Sequence, residues 1–352
     1  MNDLTQSRGK ACVSGPLPVA TIQIHPTRRC NLRCQHCYSN SGPREKAELD
    51  VARVCQVIDD AAAMGYESVS FSGGEPLLYK GIIECCQRAH RAGMRTAITT
   101  NGSLLTESRI DAVSKVVDLV AISLDGPPAL HNSMRGSLRS FDQVVDGARR
   151  LREAHMTFGF IHTLTPHTWE HLVWLADFAA SAGASLLQIH PLELAGRAVH
   201  TMSNQPNDEN VLAKAYLLTL AIARKYAGSM SLQLDVLHRE DLLSEPELGY
   251  ADPYRRVEVD EQPSSLLGLL VVETDGSVVP ISYGFSRDFE ICNLYKERLP
   301  KAWPRFVMKR YQAFRTVCRD VFDAIAAPTG PELFNWHERV IERSGLRPVP
   351  VP

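Results

Sequence analysis

Short apolar runs alternate with segments of helical periodicity along the first two thirds of the chain. The run VATIQIH, which begins at Val19, predicts a first strand. Asp50 is suited to cap the amphipathic helix that follows, which stops at Gly65. Five further strand–helix pairs are predicted, with helices near 79–92, 106–114, 140–154, 168–182 and 208–227. This alternation favours parallel strands joined by helical crossovers.

Six βα units predict an α/β fold, specifically a partial (β/α)6 TIM-like barrel with a smaller α+β C-terminal extension. A flat doubly wound sheet is the alternative topology. Beyond the sixth unit, Asp275-Gly276 joins two apolar runs and predicts a β-hairpin. Helices are predicted near 298–326 and 331–344. The predicted parts are a flexible lead-in over residues 1–18, the barrel over 19–228 and the extension over 229–352.

The net charge and the lengths of the apolar runs bear on whether the protein binds nucleic acid or a membrane. The chain has 352 residues and a formal net charge of -2, so no global field attracts nucleic acid or an acidic membrane. No run of about 18 apolar residues occurs, and no apolar segment follows the N-terminal charges. We therefore expect a cytoplasmic protein that acts on a peptide or small molecule, without nucleic-acid or membrane partners.

Three cysteines crowd the stretch TRRCNLRCQHC at residues 27–37. Cys30, Cys34 and Cys37 are separated by three and two residues, so one tight loop can direct all three sulfurs at one centre. A chain with nine cysteines and such crowding favours metal binding over a disulfide framework. Three thiolates leave the fourth position of a site open to a small molecule. The alternative is a zinc knuckle with His36 as fourth ligand.

Polar sequences follow the predicted strands in the same way. SGGEP follows strand two, TTNG strand three, SLDG strand four and HPLELAGR strand six. Glycines 73 and 74 let the backbone approach a ligand, and Glu75 offers an acceptor. Since strand ends of a parallel sheet share one edge, these loops are predicted to form one functional site.

The cysteine spacing, with Tyr38 directly after the third thiol, resembles the signature of the radical S-adenosylmethionine (radical SAM) superfamily. The resemblance covers roughly residues 19–228 and implies a six-unit partial barrel. It implies that Cys30, Cys34 and Cys37 bind one 4Fe-4S cluster, whose open iron is chelated by the amino and carboxylate groups of S-adenosylmethionine. A ferredoxin- or flavodoxin-type partner is implied as the reductant.

The same resemblance implies the cofactor-binding residues. The GGEP motif would bind the amino group of the cofactor, and TTNG and SLDG would lie near its ribose and methionine. HNSMRG resembles the family's HDxxRG stretch, with Asn132 in place of aspartate, and its Arg135 would pair with the cofactor carboxylate. The loop that contains Gly196-Arg197 would face the adenosine. The predicted cofactor residues are Tyr38, Gly73, Gly74, Glu75, Pro76, Thr100, Asn101, Ser123, Asp125, Arg135, Gln188 and His190. For His190, as for His162, a satisfied core histidine is the equal alternative.

The predicted hairpin resembles the start of the SPASM extension, where the family places cysteines for auxiliary clusters. Ile281 stands where a cysteine is expected, and only Cys292 and Cys318 lie beyond residue 228. Two thiols cannot provide the usual ligands of an auxiliary cluster, so we predict a single cluster. The remaining cysteines are interpreted as packing thiols, namely Cys12, Cys55, Cys85 and Cys86.

The resemblance implies an enzyme that reductively cleaves S-adenosylmethionine to a 5′-deoxyadenosyl radical. That radical would abstract hydrogen from a substrate in peptide, cofactor or specialised-metabolite maturation. The subtype stays open among oxidoreductase, lyase, transferase and epimerase. Candidate catalytic or substrate-positioning residues in the extension are Asp235, His238, Tyr283 and Arg287. The alternatives are a non-enzymatic metal- or cofactor-binding scaffold and a degenerate member that binds the cofactor without cleaving it.

Overall fold

A computed structural model of the chain describes residues 19–205, 207–249 and 261–345. The predicted lead-in at 1–18, with Cys12, lies outside the described residues. The strands are β1 (Thr21–Ile24), β2 (Ser68–Phe71), β3 (Arg95–Thr100), β4 (Leu119–Ser123), β5 (Phe158–Leu164), β6 (Leu186–Pro191), β7 (Ser231–Leu234), β8 (Leu237–His238), β9 (Leu269–Val272), β10 (Ser277–Pro280), β11 (Cys292–Asn293) and β12 (Leu333–Phe334).

The α-helices follow the predicted alternation closely over the first six units. They are α1 (Val51–Ala63), α2 (Ile82–Arg91), α3 (Glu107–Val113), α4 (Pro128–Arg135), α5 (Ser140–Glu153), α6 (Leu172–Ala182), α7 (Ala198–Thr201), α8 (Glu209–Lys225), α9 (Arg239–Ser244), α10 (Pro263–Leu266), α11 (Leu299–Phe306), α12 (Gln312–Ala326) and α13 (Trp336–Ser344). Asp50 caps α1 as predicted, because its side chain accepts from the Ala52 N–H at 3.1 Å. None of the helices in the described residues is long and apolar enough to cross a membrane.

The main sheet has ten strands in the order β11-β10-β9-β1-β2-β3-β4-β5-β6-β7. Strands β1 to β7 are parallel and follow one another in sequence order. A doubly wound sheet reverses its strand order at a switch point, and no such reversal occurs between β1 and β7. The sheet ends at β7 on one side and β11 on the other, so it is an open, singly wound barrel sheet. The predicted partial-barrel fold is confirmed.

Residues from the predicted C-terminal extension flank the sheet on both sides. β7 lies beyond the predicted boundary at residue 229 and pairs with β6, and β9 pairs in parallel with β1. β9 and β10 form the predicted hairpin, with Val272 opposite Val278 and Gly276 at φ +85°. The division of the chain near residue 229 therefore remains a prediction, while the sheet itself runs through both parts.

Two helix predictions differ from the structure. The predicted helix over 298–326 is divided into α11 and α12 by a π-helical turn at Val307–Tyr311. The helix predicted from residue 331 begins at Trp336, because Leu333 and Phe334 pair with β8 and Asn335 caps α13. Helix α4 was not predicted. Its sequence signals are Pro128 in the first turn and Gly136, at φ +64°, after the last.

Candidate functional site

The loop after β1 carries the three clustered cysteines, and we call residues 27–42 the cysteine loop. Arg197 fixes this loop from the segment after β6. Its Nη1 donates to the Cys34 carbonyl oxygen at 2.8 Å, its Nη2 to the Ser41 carbonyl oxygen at 2.6 Å, and its backbone N–H to the Cys37 carbonyl oxygen at 2.9 Å. These bonds hold the backbone around the thiols in one shape. The resemblance predicted that the Arg197 segment faces the adenosine, and nothing in the sequence pointed to this contact with the cysteine loop.

Two glycines allow neighbouring loops to touch the cysteine loop directly. Gly196 has φ +54°, and a Cβ there would lie 2.2 Å from the Tyr38 carbonyl oxygen. A Cβ on Gly74 would lie 2.4 Å from the Arg29 carbonyl oxygen. Neither position has room for a side chain without movement of the backbone. The GGEP loop and the Gly196-Arg197 segment therefore hold the cysteine loop from two sides.

Hydrogen-bond donors are directed at the sulfurs of the cysteine loop. The Cys30 Sγ accepts from the Leu32 N–H at 3.5 Å and from the Asn101 side-chain amide at 3.8 Å. The Cys37 Sγ accepts from the Ser41 N–H at 3.3 Å. Donors of this kind stabilise thiolate sulfur, as around iron–sulfur clusters.

Cys34 receives its hydrogen bond from the guanidinium of Arg135, whose Nη1 lies 3.8 Å from the sulfur. Burial raises the pKa of Cys30 to about 12 and also raises the pKa of Cys34. Such thiols stay protonated at neutral pH until a bound metal supplies positive charge. In the described ranges, no group of three or more His, Cys, Asp or Glu side chains is arranged closely enough to hold a single metal ion. The thiolate ligands of an iron–sulfur cluster are spaced more widely than that, because each binds a different iron. The donor set of three adjacent, hydrogen-bonded thiols fits an iron–sulfur cluster.

Glu75 of the GGEP loop is fully buried and joins the ends of β2 and β3. Its Oε1 accepts from the Thr100 hydroxyl at 2.8 Å and the Leu77 N–H at 3.1 Å, and its Oε2 accepts from the Asn101 N–H at 2.9 Å. Burial raises the pKa of Glu75 although these donors oppose the shift. Pro76 follows at the start of a 3-10 turn, Pro76–Leu78. The predicted cofactor residues of these two loops are therefore brought together.

Asp125 and Arg135, both predicted as cofactor-binding residues, form a buried ion pair. The Arg135 Nε donates to the Asp125 Oδ2 at 2.6 Å and its Nη2 to the Oδ1 at 3.2 Å. Burial favours the neutral carboxyl, but Arg135 outweighs it and holds the pKa of Asp125 well below its usual range. His36, the fourth ligand of the alternative zinc site, has its Nε2 3.8 Å from the Asp125 Oδ2.

Tyr38 and Tyr283 meet at a buried aromatic group centred on His25. The rings of His25 and Tyr283 stack with centroids 4.6 Å apart, and the Tyr38 ring lies edge-on to both. The Tyr38 hydroxyl lies 3.1 Å from the Ser72 Oγ. Burial lowers the pKa of His25 to about 3, so its ring is neutral at neutral pH. His25 was not among the predicted site residues, and its only signal in the sequence is its position at the end of β1.

A second polar group lies at the ends of β6 and β7. The His190 Nδ1 lies 2.8 Å from the Asp235 Oδ2, and its Nε2 lies 3.1 Å from the Glu193 Oε1. Gln188 donates to the Asp235 Oδ2 at 2.9 Å. Although burial opposes it, the two carboxylates raise the pKa of His190 to about 10, so at neutral pH the imidazole is charged. The structure thus brings together three predicted site residues and adds Glu193.

The remaining candidates lie elsewhere. His238 lies in the small β8–β12 sheet, where its Nδ1 accepts from the Glu240 N–H at 3.2 Å and caps α9. Arg287 pairs with Glu273 at 2.6 Å beside the β9–β10 hairpin. Ser123 is the last residue of β4. The thiols outside the cysteine loop that the structure describes are free, namely Cys55, Cys85, Cys86, Cys292 and Cys318.

An open α/β barrel sheet with a three-cysteine loop at its carboxyl edge defines the class of protein. Residues 24–179 match the family described as the radical SAM superfamily. This segment is therefore a radical SAM domain, and the chain has homologues in that superfamily. The homologues include proteins named AdoMet-dependent heme synthase and PqqA peptide cyclase.

Two curated relatives extend the comparison beyond the domain. The chain is 29% identical to the pre-heme d1 synthase of Dinoroseobacter shibae over 211 residues, 59% of this chain and 51% of that protein. It is 28% identical to the Fe-coproporphyrin III synthase of Methanosarcina barkeri over 288 residues, 79% of this chain and 71% of that protein. The chain thus spans about half the length of the first relative.

The fold is similar to that of Streptococcus suis SuiB, whose structure was determined bound to S-adenosylmethionine. The TM-score is 0.66 at 17% identity, and the match covers 90% of this chain and 76% of that chain. A likeness at this identity concerns the fold alone.

Proposed function

We propose that the protein is a radical SAM enzyme that binds one 4Fe-4S cluster through Cys30, Cys34 and Cys37 and cleaves S-adenosylmethionine to act on a peptide or small-molecule substrate. The observation that carries the proposal is the cysteine loop, which presents three adjacent thiols with donors directed at their sulfurs. When bound, the cluster and cofactor would supply an electron and a hydrogen-abstracting radical. The proposed reductant is of ferredoxin or flavodoxin type, and the proposed compartment is the cytoplasm.

The chain's own residues would hold the reacting groups and exclude water. The proposed cofactor residues remain those predicted from the sequence, namely Tyr38, Gly73, Gly74, Glu75, Pro76, Thr100, Asn101, Ser123, Asp125, Arg135, Gln188 and His190. The Glu75 oxygens already accept hydrogen bonds within the protein, so the half-buried backbone of Gly73 and Gly74 is the better partner for the cofactor's amino group. The aromatic group around His25, in which His25 and Tyr283 are buried and Tyr38 is half-buried, would limit access of water beside the cysteine loop.

Substrate contacts are proposed at Asp235 and Tyr283. Asp235 lies directly after β7 and holds the charged His190, while Tyr283 packs against Tyr38 of the cysteine loop. His238 stays the weakest of the predicted catalytic residues, because its ring already caps α9. The relatives support maturation chemistry, since their names include synthases of heme-type cofactors and a PqqA peptide cyclase.

Anaerobic reconstitution tests the proposal. We expect about four irons per chain and formation of 5′-deoxyadenosine with dithionite. Alanine at Cys30, Cys34 or Cys37 should abolish both, whereas alanine at the buried Cys292 or Cys318 should leave the iron content unchanged. Stoichiometric zinc without iron would favour the scaffold alternative. Iron and cofactor binding without cleavage would favour the degenerate member.

A further inference from the structure

Cys34 differs from the other two clustered cysteines in the charge of its hydrogen-bond donor. Cys30 and Cys37 accept from neutral backbone and side-chain groups. Cys34 accepts from the Arg135 guanidinium, and both residues are over nine-tenths buried. A buried cation acts on a nearby charge much more strongly than an exposed one, because little water screens it.

The position of this cation is determined by the protein. Asp125 occupies the Nε and Nη2 edge of the guanidinium as a two-point fork, which leaves Nη1 directed at the Cys34 sulfur. Asp125 is itself held, because its backbone N–H donates to the His131 Nδ1 at 3.1 Å and the His131 Nε2 donates to the Ser140 Oγ at 3.0 Å.

Helix α4 is attached to the cysteine loop close to the same point. The Gln35 N–H donates to the Met134 carbonyl oxygen at 2.9 Å, and the Gln35 side-chain amide donates to the Ser133 carbonyl oxygen at 3.0 Å. Gly136 lies against the loop as well, because a Cβ there would be 3.2 Å from the Arg33 carbonyl oxygen. These contacts hold the backbone that carries Arg135 against the cysteine loop.

We propose that the Asp125–Arg135 pair serves to set the reduction potential of the cluster through Cys34, and that binding the cofactor carboxylate is not its main role. This inference rests on the proposed cluster site. One electron enters the cluster from the ferredoxin- or flavodoxin-type reductant, and the cluster becomes one unit more negative with no proton transferred. The pair is a dipole with its positive end at Cys34, so it stabilises the reduced state and raises the potential.

The test compares Arg135→Gln and Arg135→Lys with wild type in the reconstituted protein without S-adenosylmethionine. Arg298→Gln is the matched control, since Arg298 forms another two-point pair with a buried aspartate, Asp60, which lies on α1. The ratio of reduced to oxidised cluster is measured by EPR during a redox titration, after iron content has been determined. Cofactor affinity is measured separately by equilibrium dialysis.

We expect Arg135→Gln to lower the reduced-to-oxidised ratio at a fixed potential about tenfold, a shift of about 59 mV for one electron. Arg135→Lys keeps the charge and should lower the ratio less, and Arg298→Gln should leave it unchanged. If Arg135→Gln loses iron, the test rests on Arg135→Lys alone. A lowered reduced-to-oxidised ratio in that variant would support the inference, and an unchanged ratio would overturn it. An unchanged ratio together with a tenfold weaker cofactor affinity would overturn the inference in favour of the carboxylate role. A wild-type protein that binds no iron would overturn the proposed function itself.

Discussion

Substitution of Gly196 by alanine is expected to damage the cysteine loop from outside it. Gly196 has φ +54°, and the added Cβ would lie 2.2 Å from the Tyr38 carbonyl oxygen and 2.7 Å from the Cys37 carbonyl oxygen. Both atoms belong to the backbone of the cysteine loop, so no side-chain rotation relieves the contact. The loop itself has to shift by close to an ångström, and the Arg197 hydrogen bonds shift with it.

The expected magnitude has two parts. A left-handed conformation costs an alanine about 1–2 kcal/mol, and overpacking of a buried site typically costs about 1–3 kcal/mol more. We therefore expect Gly196→Ala to lower the free energy of unfolding by about 2–5 kcal/mol. Gly93→Ala is the matched control, because Gly93 has φ +77° and nothing within 4 Å of the added Cβ. Gly93→Ala should therefore have only the cost of the left-handed conformation, and should lower the free energy of unfolding by about 1–2 kcal/mol.

Two measurements check this prediction. Urea unfolding of the metal-free proteins in reducing buffer gives the loss of stability, and iron per chain after anaerobic reconstitution reports the shape of the cysteine loop. Gly196→Ala should lose both stability and iron, whereas Gly93→Ala should bind as much iron as wild type. Equal stability and equal iron content in the two variants would refute the contact between the Gly196 segment and the cysteine loop.

Three further predictions concern the surroundings of the site. Arg197→Ala removes two charged hydrogen bonds to cysteine-loop carbonyls and should destabilise the protein by about 2–4 kcal/mol, with less iron bound; unchanged urea unfolding would contradict it. Thr100→Val removes one donor from the buried Glu75 carboxylate and should cost about 1–2 kcal/mol in the same assay, whereas a cost near zero would show that the bond does not matter. The folded pKa of His190, about 10, lies above its unfolded value of 6.5, so its stabilising effect is complete below about pH 6.5 and is lost as pH rises through 10. The stability difference between wild type and His190→Gln should shrink over that window, and a difference that grows with pH would contradict the assignment.

Much of the local structure follows from the sequence. The first six strand–helix pairs, the Asp50 cap and the Asp275-Gly276 turn depend on residues within a few positions of one another, and all are present in the structure. The start of α13 could not be predicted in this way. Its first five predicted residues, 331–335, are not helical, because Leu333 and Phe334 pair with β8 almost a hundred residues earlier.

The candidate site divides in the same way. The spacing of Cys30, Cys34 and Cys37 by itself determined that three thiols share one loop, since two or three intervening residues leave them no other choice. The sequence did not show that Arg197 holds this loop or that Asp125 directs Arg135 at Cys34. Arg197 is 163 residues from Cys34 along the chain, and Arg135 is 101.

The sequence therefore determined the chemistry of the thiols and the alternation that builds the sheet. Only the tertiary structure decided which charged side chain faces which sulfur and which loops enclose the cysteine loop. The physical reason is that periodicity and spacing act through neighbouring residues, whereas these contacts arise where strands far apart in sequence end at one edge of the sheet.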